Sequence, residues 1–150
     1  MKEIGMLGES LVGRWLELEN YLLLEQNWRC RWGEIDIIAQ NKSSKAIAFV
    51  EVKTRSQNNW DENGLLSVNL TKQEKIIKTA YFFLARYPHL SELPCRFDVA
   101  LVSCKKYLAQ RHENKIMNVT EISQLTIGQT VILKQYRLAI ENYLKSAFET

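Results

Sequence analysis

Histidine and cysteine are scarce in this chain of 150 residues, which holds two histidines and three cysteines. Cys30, Cys95 and Cys104 are odd in number, widely spaced and without a CxxC pair, which argues against a disulfide framework and a zinc ribbon. His89 and His112 each stand alone, so the ligand pairs of zinc hydrolases and of histidine-ligated metal enzymes are missing. These features favour a reducing cytoplasm.

Long hydrophobic runs are absent as well. No stretch approaches the roughly eighteen apolar residues that a membrane helix needs, and Met1 leads into Lys2 and Glu3 rather than into an apolar signal segment. No glycine-rich loop that could cradle phosphates is present, so an ATP-driven enzyme is not expected. The hydrophobic content of 46% is enough for one globular core. We therefore expect a single soluble, cytoplasmic domain over 1–150 with no membrane partner.

The net charge of +3 is small, and its distribution is more informative than its total. The basic residues gather in short clusters: Arg29 and Arg31; Lys53 and Arg55; Lys72, Lys75 and Lys78; Lys105, Lys106 and Arg111. If the fold brings several clusters to one face, they form the electrostatic footprint of a phosphate-backbone binder. Any one cluster by itself is better explained as solvated surface.

Hydrophobic spacing divides the chain into helices and strands. It predicts a helix over 7–22, a strand over 27–32, a turn or bulge at Gly33, strands over 35–39 and 46–54, a surface loop over 56–68, a helix from a Thr71/Glu74 capping box to just before Pro88, and a strand over 96–104. The pattern over 136–148 fits a helix or a strand, and we favour a terminal helix. The segment 105–135 is the least readable part of the chain.

A charged pair ends the most apolar of these predicted strands. The run over 46–53 is apolar up to Val50 but then contains Glu51 and Lys53, which strand alternation puts on one face. Charged residues in a buried strand are costly unless they are paired or bind a metal ion. Their presence therefore indicates a salt bridge or a functional site.

The hairpin formed by the two central strands brings a second acid to this pair. If the hairpin is symmetric about the Ser43–Ser44 bond, Asp36 and Glu51 each lie seven residues from that centre and face each other. Two opposed carboxylates destabilise a sheet unless a cation lies between them, and a divalent ion is the obvious candidate. With Lys53 beside it, such a centre suits phosphodiester hydrolysis with Mg²⁺ or Mn²⁺. A surface salt bridge among the three side chains explains the pattern equally well.

Two further polar residues lie on the inward faces of the predicted helices. Glu9 shares a helical face with Val12, and Gln73 shares one with Ile77, so both could reach the hairpin. Taken singly, each is explained by a helix-start residue that satisfies exposed backbone amides. Four polar anomalies with one common destination favour a pocket.

Several short motifs follow one another in a distinctive order. They are GMLGE at 5–9, NWR at 27–29, GEIDIIA at 33–39, FVEVKTR at 49–55, KQ at 72–73, RFDV at 96–99 and AF at 147–148. In this order they resemble the YraN-type family of uncharacterised bacterial proteins, over most of the chain. The resemblance implies an α/β, restriction-endonuclease-like fold of the PD-(D/E)xK superfamily. That fold has a central mixed β-sheet flanked by helices, as in archaeal Holliday junction resolvases.

The resemblance also implies roles for individual residues. It assigns catalytic roles to Asp36, Glu51, Lys53, Glu9 and Gln73, with Asp36, Glu51 and Glu9 as the metal ligands. Ile35 stands where the motif's name has proline, which removes no catalytic group. The segment at about 105–135 is longer than expected for the family and is interpreted as an insertion, an altered partner site or a misaligned region.

Two other acids match family motifs but are expected to be structural. Glu34 and Asp98 each have arginines nearby in the sequence. We expect them to form ion pairs with Arg29, Arg31 or Arg96 rather than to take part in catalysis.

Three functions fit the sequence. The leading hypothesis is a magnesium-dependent endonuclease that acts on DNA, including branched or damaged DNA, and the second is a non-catalytic nucleic-acid-binding module on the same fold. The third is an interaction protein that docks a partner through exposed Trp60 and Tyr136. In the first two, phosphate contacts come from Arg29, Arg31, Arg55, Lys72 and Lys75. DNA versus RNA, and a homodimer like that of junction resolvases, stay open.

Overall fold

A computed structural model describes residues 2–56, 68–106 and 118–150. Within these ranges the elements are α1 (Lys2–Leu18), β1 (Tyr21–Cys30), β2 (Gly33–Asn41), β3 (Ile47–Arg55), α2 (Leu70–Arg86), β4 (Cys95–Lys106), β5 (Thr130–Leu133) and β6 (Tyr136–Phe148), with short 3-10 helices at Pro88–Leu90 and Val119–Glu121. No helix among the described residues is both long enough and apolar enough to cross a membrane.

One sheet joins all six strands in the order β1-β2-β3-β4-β6-β5. The pairing of β3 with β4 is parallel and the other four pairings are antiparallel. Helix α1 packs on one face and helix α2 on the other. The protein therefore has the α/β architecture that the sequence predicts, a central mixed sheet flanked by helices, consistent with a restriction-endonuclease-like fold.

Each helix buries one apolar stripe against the sheet. On α1 the buried residues include Leu11, Trp15 and Leu16, and on α2 they include Ile76 and Phe83. Burying a side chain of this size stabilises a fold by roughly 1.5–3 kcal/mol. The two stripes fix α1 and α2 on opposite faces of the sheet.

The approach of α1 to β3 depends on a glycine. A Cβ atom at Gly8 would collide with the hydroxyl of Thr54 in β3, and the Thr54 Oγ1 is buried without a hydrogen-bond partner in the described part of the chain. Because Glu9 follows Gly8 directly, this close packing sets how near Glu9 lies to the end of β3.

The boundary between α1 and β1 differs from its prediction. The helix ends at Leu18, and Asn20 adopts a left-handed conformation with φ of 72°. Leu22 therefore lies in β1, with its side chain 52% exposed, rather than in the helix. Its spacing fits the helical period only by coincidence. The predicted strand over 27–32 is the second half of β1, and Arg31 and Trp32 form a two-residue turn into β2.

Helix α2 also begins differently from its prediction. Its N-cap is Asn69, whose side-chain oxygen accepts a hydrogen bond from the Lys72 N–H at 2.9 Å. The predicted Thr71/Glu74 capping box is therefore displaced by a better capping residue two positions earlier. The predicted loop at 56–68, with Trp60, lies almost entirely outside the described residues.

The terminal helix predicted for 136–148 is wrong, because this segment is the strand β6. It lies between β4 and β5 and forms a ladder with each of them. The partner β4 is distant in sequence, and the partner β5 lies in the segment 105–135, whose sequence pattern is the least readable. Only the tertiary context therefore selects the strand. The insertion predicted at about 105–135 stays a prediction; its residues 107–117 lie outside the described ranges.

Candidate active site

The β2–β3 hairpin has the predicted register. Ile37 pairs with Val50, and the successive pairs inward end with Gln40 opposite Ile47. These pairs are centred on the Ser43–Ser44 bond, as predicted. Beyond Ile37 and Val50 the regular ladder ends, and the backbone N–H of Val52 instead donates to Asp36 Oδ2 at 2.8 Å. The Asp36 carboxylate thus takes over a hydrogen bond at the point where the two strands stop pairing.

Asp36 and Glu51 line one open cavity of about 540 Å³ beside the N-terminal end of α2. The residues around it are Gly33, Glu34, Asp36, Glu51, Asn69, Thr71, Lys72, Lys75 and Ile76. The cavity therefore joins three acids from the hairpin strands, Glu34, Asp36 and Glu51, with two lysines from the first turns of the helix.

The Glu51 carboxylate is shared by two lysines. Its side chain is 7% exposed, and its Oε1 lies 2.9 Å from Lys72 Nζ and 3.6 Å from Lys53 Nζ. A buried carboxylate is costly unless it is paired. The two ammonium groups supply that pairing. Lys72 was predicted as a phosphate contact, and its bond to an acid 21 residues earlier in the chain was not predicted.

The electrostatic surroundings of Asp36 differ from those of Glu51. Burial and the nearby charge of Glu51 raise the pKa of its carboxyl to about 8, although the Val52 N–H bond acts in the other direction. A carboxylate whose role is a structural ion pair normally has a lowered pKa, because its cation favours the charged form. Asp36 therefore lies in a place where a further positive charge would be strongly attracted.

The two lysines respond differently to this site. Burial and the adjacent ammonium of Lys72 lower the pKa of Lys53, against the attraction of Glu51. Burial is the largest effect on Lys72 and acts to lower its pKa, but the hydrogen bond to Glu51 and the other interactions at the site together outweigh burial and raise the pKa of Lys72. Lys72 is thus the cation bound more firmly to Glu51, and Lys53 is the one that loses a proton more easily.

Glu9 lies near the hairpin acids but has a partner of its own. Its side chain is hydrogen-bonded to Asn27, and its pKa is raised by burial first and then by the charges of Glu34 and Glu51. Within the described residues, no group of three Asp, Glu, His or Cys side chains could hold a metal ion. The role of Glu9 as a third metal ligand stays a prediction.

Gln73 faces the segment that leads into α2. Its Nε2 donates to the carbonyl oxygen of Val68 at 2.9 Å, and it is not among the residues that line the cavity. This bond anchors the start of the helix that carries Lys72. A catalytic role for Gln73 stays a prediction.

The residues predicted to bind phosphate are only partly brought together. Lys72 and Lys75 line the cavity, whereas Arg29 Nε pairs with Glu34 Oε2 at 2.7 Å, as expected for these two. Arg31 lies in the turn between β1 and β2, and Arg55 is exposed at the end of β3. Their contacts with nucleic acid stay predictions.

Asp98 has the structural pairing that was expected. It is fully buried and accepts hydrogen bonds from Arg96 Nε at 3.0 Å, from the Tyr143 hydroxyl at 2.6 Å and from the Ser146 N–H at 3.0 Å. Arg96 also donates to the Tyr21 hydroxyl. Burial and the charge of Asp98 raise the pKa of Tyr143, which therefore stays protonated as a donor. The roles of the two tyrosines could not be predicted from the sequence. Tyr143 lies 45 residues from Asp98 and Tyr21 lies 75 residues from Arg96.

Of the two aromatic residues in the docking hypothesis, the structure describes only Tyr136. Trp60 lies outside the described residues. Tyr136 is half-buried and packs against the core on the α1 side of the sheet. Trp32, which the hypothesis did not include, is 43% exposed next to the cavity-lining Gly33.

The chain is similar along nearly its whole length to proteins of several organisms. A UPF0102 protein of Synechocystis sp. (strain PCC 6803) is 48% identical over 150 residues, which cover 99% of this chain and 99% of that relative. One of Trichodesmium erythraeum is 45% identical over 159 residues, covering 97% of this chain and 88% of the relative. The model of the Uncharacterised protein family UPF0102 matches residues 8–102. The chain therefore belongs to UPF0102, the YraN-type family that its ordered motifs resemble.

Proposed function

We propose that this protein is a divalent-metal-dependent nuclease that hydrolyses phosphodiester bonds, with DNA as its substrate. The observation that carries the proposal is the pair of carboxylates, Asp36 and Glu51, lining one cavity while Asp36 keeps a pKa raised to about 8. A salt bridge accounts for Glu51, which has two lysines. It does not account for Asp36, whose pKa is raised by burial and by the charge of its neighbour rather than lowered by a cation.

The donors in the cavity fit Mg²⁺ or Mn²⁺. Magnesium is commonly held by one or two carboxylates and completes its shell with water and substrate phosphate. Asp36 and Glu51 would be those ligands, with the Asp36 carboxylate oriented by the Val52 N–H. When bound, such an ion polarises a phosphoryl oxygen and makes a water molecule nucleophilic at neutral pH.

The lysines of the site have complementary roles in the proposed reaction. Hydrolysis joins a water oxygen to phosphorus and breaks the bond to the leaving oxygen, while negative charge builds on the phosphoryl oxygens. Lys53 is not among the residues that line the cavity, but it lies 3.6 Å from Glu51 Oε1 and would stabilise that charge from beside Glu51. Lys72 and Lys75 would hold the substrate phosphates at the mouth of the cavity, independently of base sequence.

A cleavage assay with matched variants tests the proposal. Purified protein is incubated with linear, single-stranded and four-way-junction DNA, and with RNA, in Mg²⁺, in Mn²⁺ or with chelator. We expect metal-dependent cutting that Glu51→Gln and Lys53→Met each abolish. Glu25→Gln should cut like the wild type, because Glu25 lies in β1 and lines a separate cavity. Cleavage that survives Glu51→Gln, or that persists in chelator, would refute this site.

One observation favours a non-catalytic binding module as the second candidate. Lys72 already neutralises Glu51 at 2.9 Å, so the chain itself supplies a cation where the nuclease would bind a metal. If every substrate stays intact but is bound, and the binding weakens steeply with salt, this second function is correct and the nuclease is not.

A further inference from the structure

Trp32 is an exposed aromatic side chain with two cations close to its ring. Its side chain is 43% exposed in the turn between β1 and β2. The Arg31 guanidinium carbon lies 4.9 Å from the ring centroid, and Lys78 Nζ lies 5.4 Å from it. Trp15 and Trp28 pack into the two hydrophobic cores, but Trp32 contributes to neither. Core packing therefore does not explain an indole at this position.

The position of Trp32 relates it to the candidate active site. Gly33 and Glu34, which follow it directly, line the cavity that contains Asp36 and Glu51. Lys78, which lies against the ring, is three residues beyond the cavity-lining Lys75 on α2. Both connections place the indole next to the rim of the cavity, where the helix lysines also lie, although Trp32 itself is not among the lining residues.

We propose that Trp32 stacks an unpaired nucleobase of a nucleic-acid strand whose phosphate enters the cavity. This inference rests on the proposed function and names its substrate class, a single-stranded or locally unpaired segment. In a duplex each base face is covered by its neighbours, whereas an unpaired base offers a free face to an aromatic side chain. A protein that reads only phosphates needs cations at this rim but no exposed indole.

The flanking cations support the same occupant. A strand that brings a base onto the indole also brings its phosphates close to Arg31 and Lys78. Their long, flexible side chains can leave the ring face for a phosphate oxygen while the base takes their place. An aromatic platform bordered by basic residues is the arrangement that binds single strands with little sequence preference. A protein partner would not require this concentration of positive charge.

Binding measurements on the full chain in chelator test the inference without cleavage. The probes are a fluorescein-labelled thymidine oligonucleotide, an abasic strand of equal length and a duplex of equal length, followed by anisotropy. We expect Trp32→Ala to weaken thymidine-strand binding by about 5- to 100-fold and duplex or abasic-strand binding by less than about 2-fold. Trp32→Phe should retain most of the affinity, because it keeps an aromatic face.

A control variant and the alternative outcomes make the test decisive. Leu22→Ala removes another exposed apolar side chain at the opposite end of β1, and it should bind all three probes like the wild type. If Trp32→Ala binds the thymidine strand normally, or loses affinity equally for all three probes, stacking is refuted while Glu51-dependent cleavage still stands. If the wild type binds none of the probes, this inference is refuted, and the cleavage assay with metal decides the proposed function separately.

Discussion

At the scale of single residues, the site is defined by how differently its two hairpin acids are compensated. Glu51 has two ammonium groups within 3.6 Å of one oxygen. Asp36 accepts a hydrogen bond from one backbone N–H, which acts to lower its pKa. Burial and the neighbouring negative charge of Glu51 outweigh this bond and raise the pKa of Asp36 to about 8. Two carboxylates close together do not ionise with equal ease unless a cation reaches both. This imbalance is what a bound divalent ion would remove.

The imbalance predicts how the stability of the metal-free protein depends on pH. The pKa of Asp36 is about 8 in the folded state against 3.8 for the ordinary carboxyl. Between these values the folded state keeps a proton that the unfolded state has lost, so stability falls as pH rises from about 4 to about 8. Asp36→Asn stays neutral in both states and should remove this decline. Thermal melts in chelator should show the variant more stable than wild type at pH 8, by on the order of 2 kcal/mol.

The difference between the two proteins should be small near pH 4 and vanish at lower pH, where the wild-type carboxyl is protonated in both the folded and the unfolded state. Asn can still accept the Val52 N–H bond, so the substitution changes charge more than geometry. A constant difference between the melts at all pH values would contradict the raised pKa.

At the scale of elements, the position of α1 depends on its contact with β3. Gly8 lies so close to Thr54 that a Cβ atom there would meet the threonine hydroxyl, and backbone or side chain must move to relieve the clash. Glu9 is the next residue, so any shift of the helix changes its distance from the hairpin acids. The helix therefore affects the site through packing as well as through its charge.

Two glycine substitutions on α1 separate packing from helix propensity. Gly8→Ala should lower the free energy of unfolding by about 1–3 kcal/mol, because the added methyl overpacks the contact. Gly5→Ala meets nothing within 4 Å and should raise it by about 0.5–1 kcal/mol, since alanine is the better helix former. Urea denaturation measures both values. If Gly8→Ala is as stable as Gly5→Ala, the contact with β3 is not tight.

At the scale of the whole molecule, a buried network connects strands that are not adjacent in the sheet. Asp98 and Arg96 lie in β4, Tyr143 in β6 and Tyr21 in β1, which is three strands away from β4. The network lies on the face of the sheet covered by α1, where Trp15 packs against Tyr143 with ring centroids 4.7 Å apart. It therefore connects β1, the strand that precedes the β2–β3 hairpin, with β6.

Removing the centre of this network should destabilise the whole fold. Asp98→Ala leaves the Arg96 charge and several donors without their acceptor, and we expect a loss of about 3–5 kcal/mol in urea denaturation. Tyr143→Phe removes one of the hydrogen bonds and should cost about 1–2 kcal/mol. Asp98 is not among the residues lining the cavity. Cleavage per folded molecule should therefore be unchanged in Tyr143→Phe, and a selective loss of activity would show that Asp98 affects catalysis.

The local features of the hairpin were determined by the sequence itself. Strand alternation and a short polar connection define the register over 37–50, because turn and strands are close in sequence and few pairings satisfy both. That register is enough to bring Asp36 and Glu51 to the same end of the hairpin. The identities of α2 and β4 were also predicted correctly, since their apolar periodicity matches their actual surroundings.

Features that depend on distant partners were decided by the tertiary structure alone. The helix predicted at 136–148 is a strand because β4 and β5 offer it ladders that no local pattern reveals. The bond from Lys72 to Glu51 and those from the two tyrosines to the Arg96–Asp98 pair also join residues far apart in the chain. Local propensity differs between conformations by a few tenths of a kcal/mol to about 1 kcal/mol per residue, so packing overrides it. The sequence thus determined that Asp36 and Glu51 lie at one end of the hairpin, and the fold decided that Lys72 joins Lys53 beside Glu51.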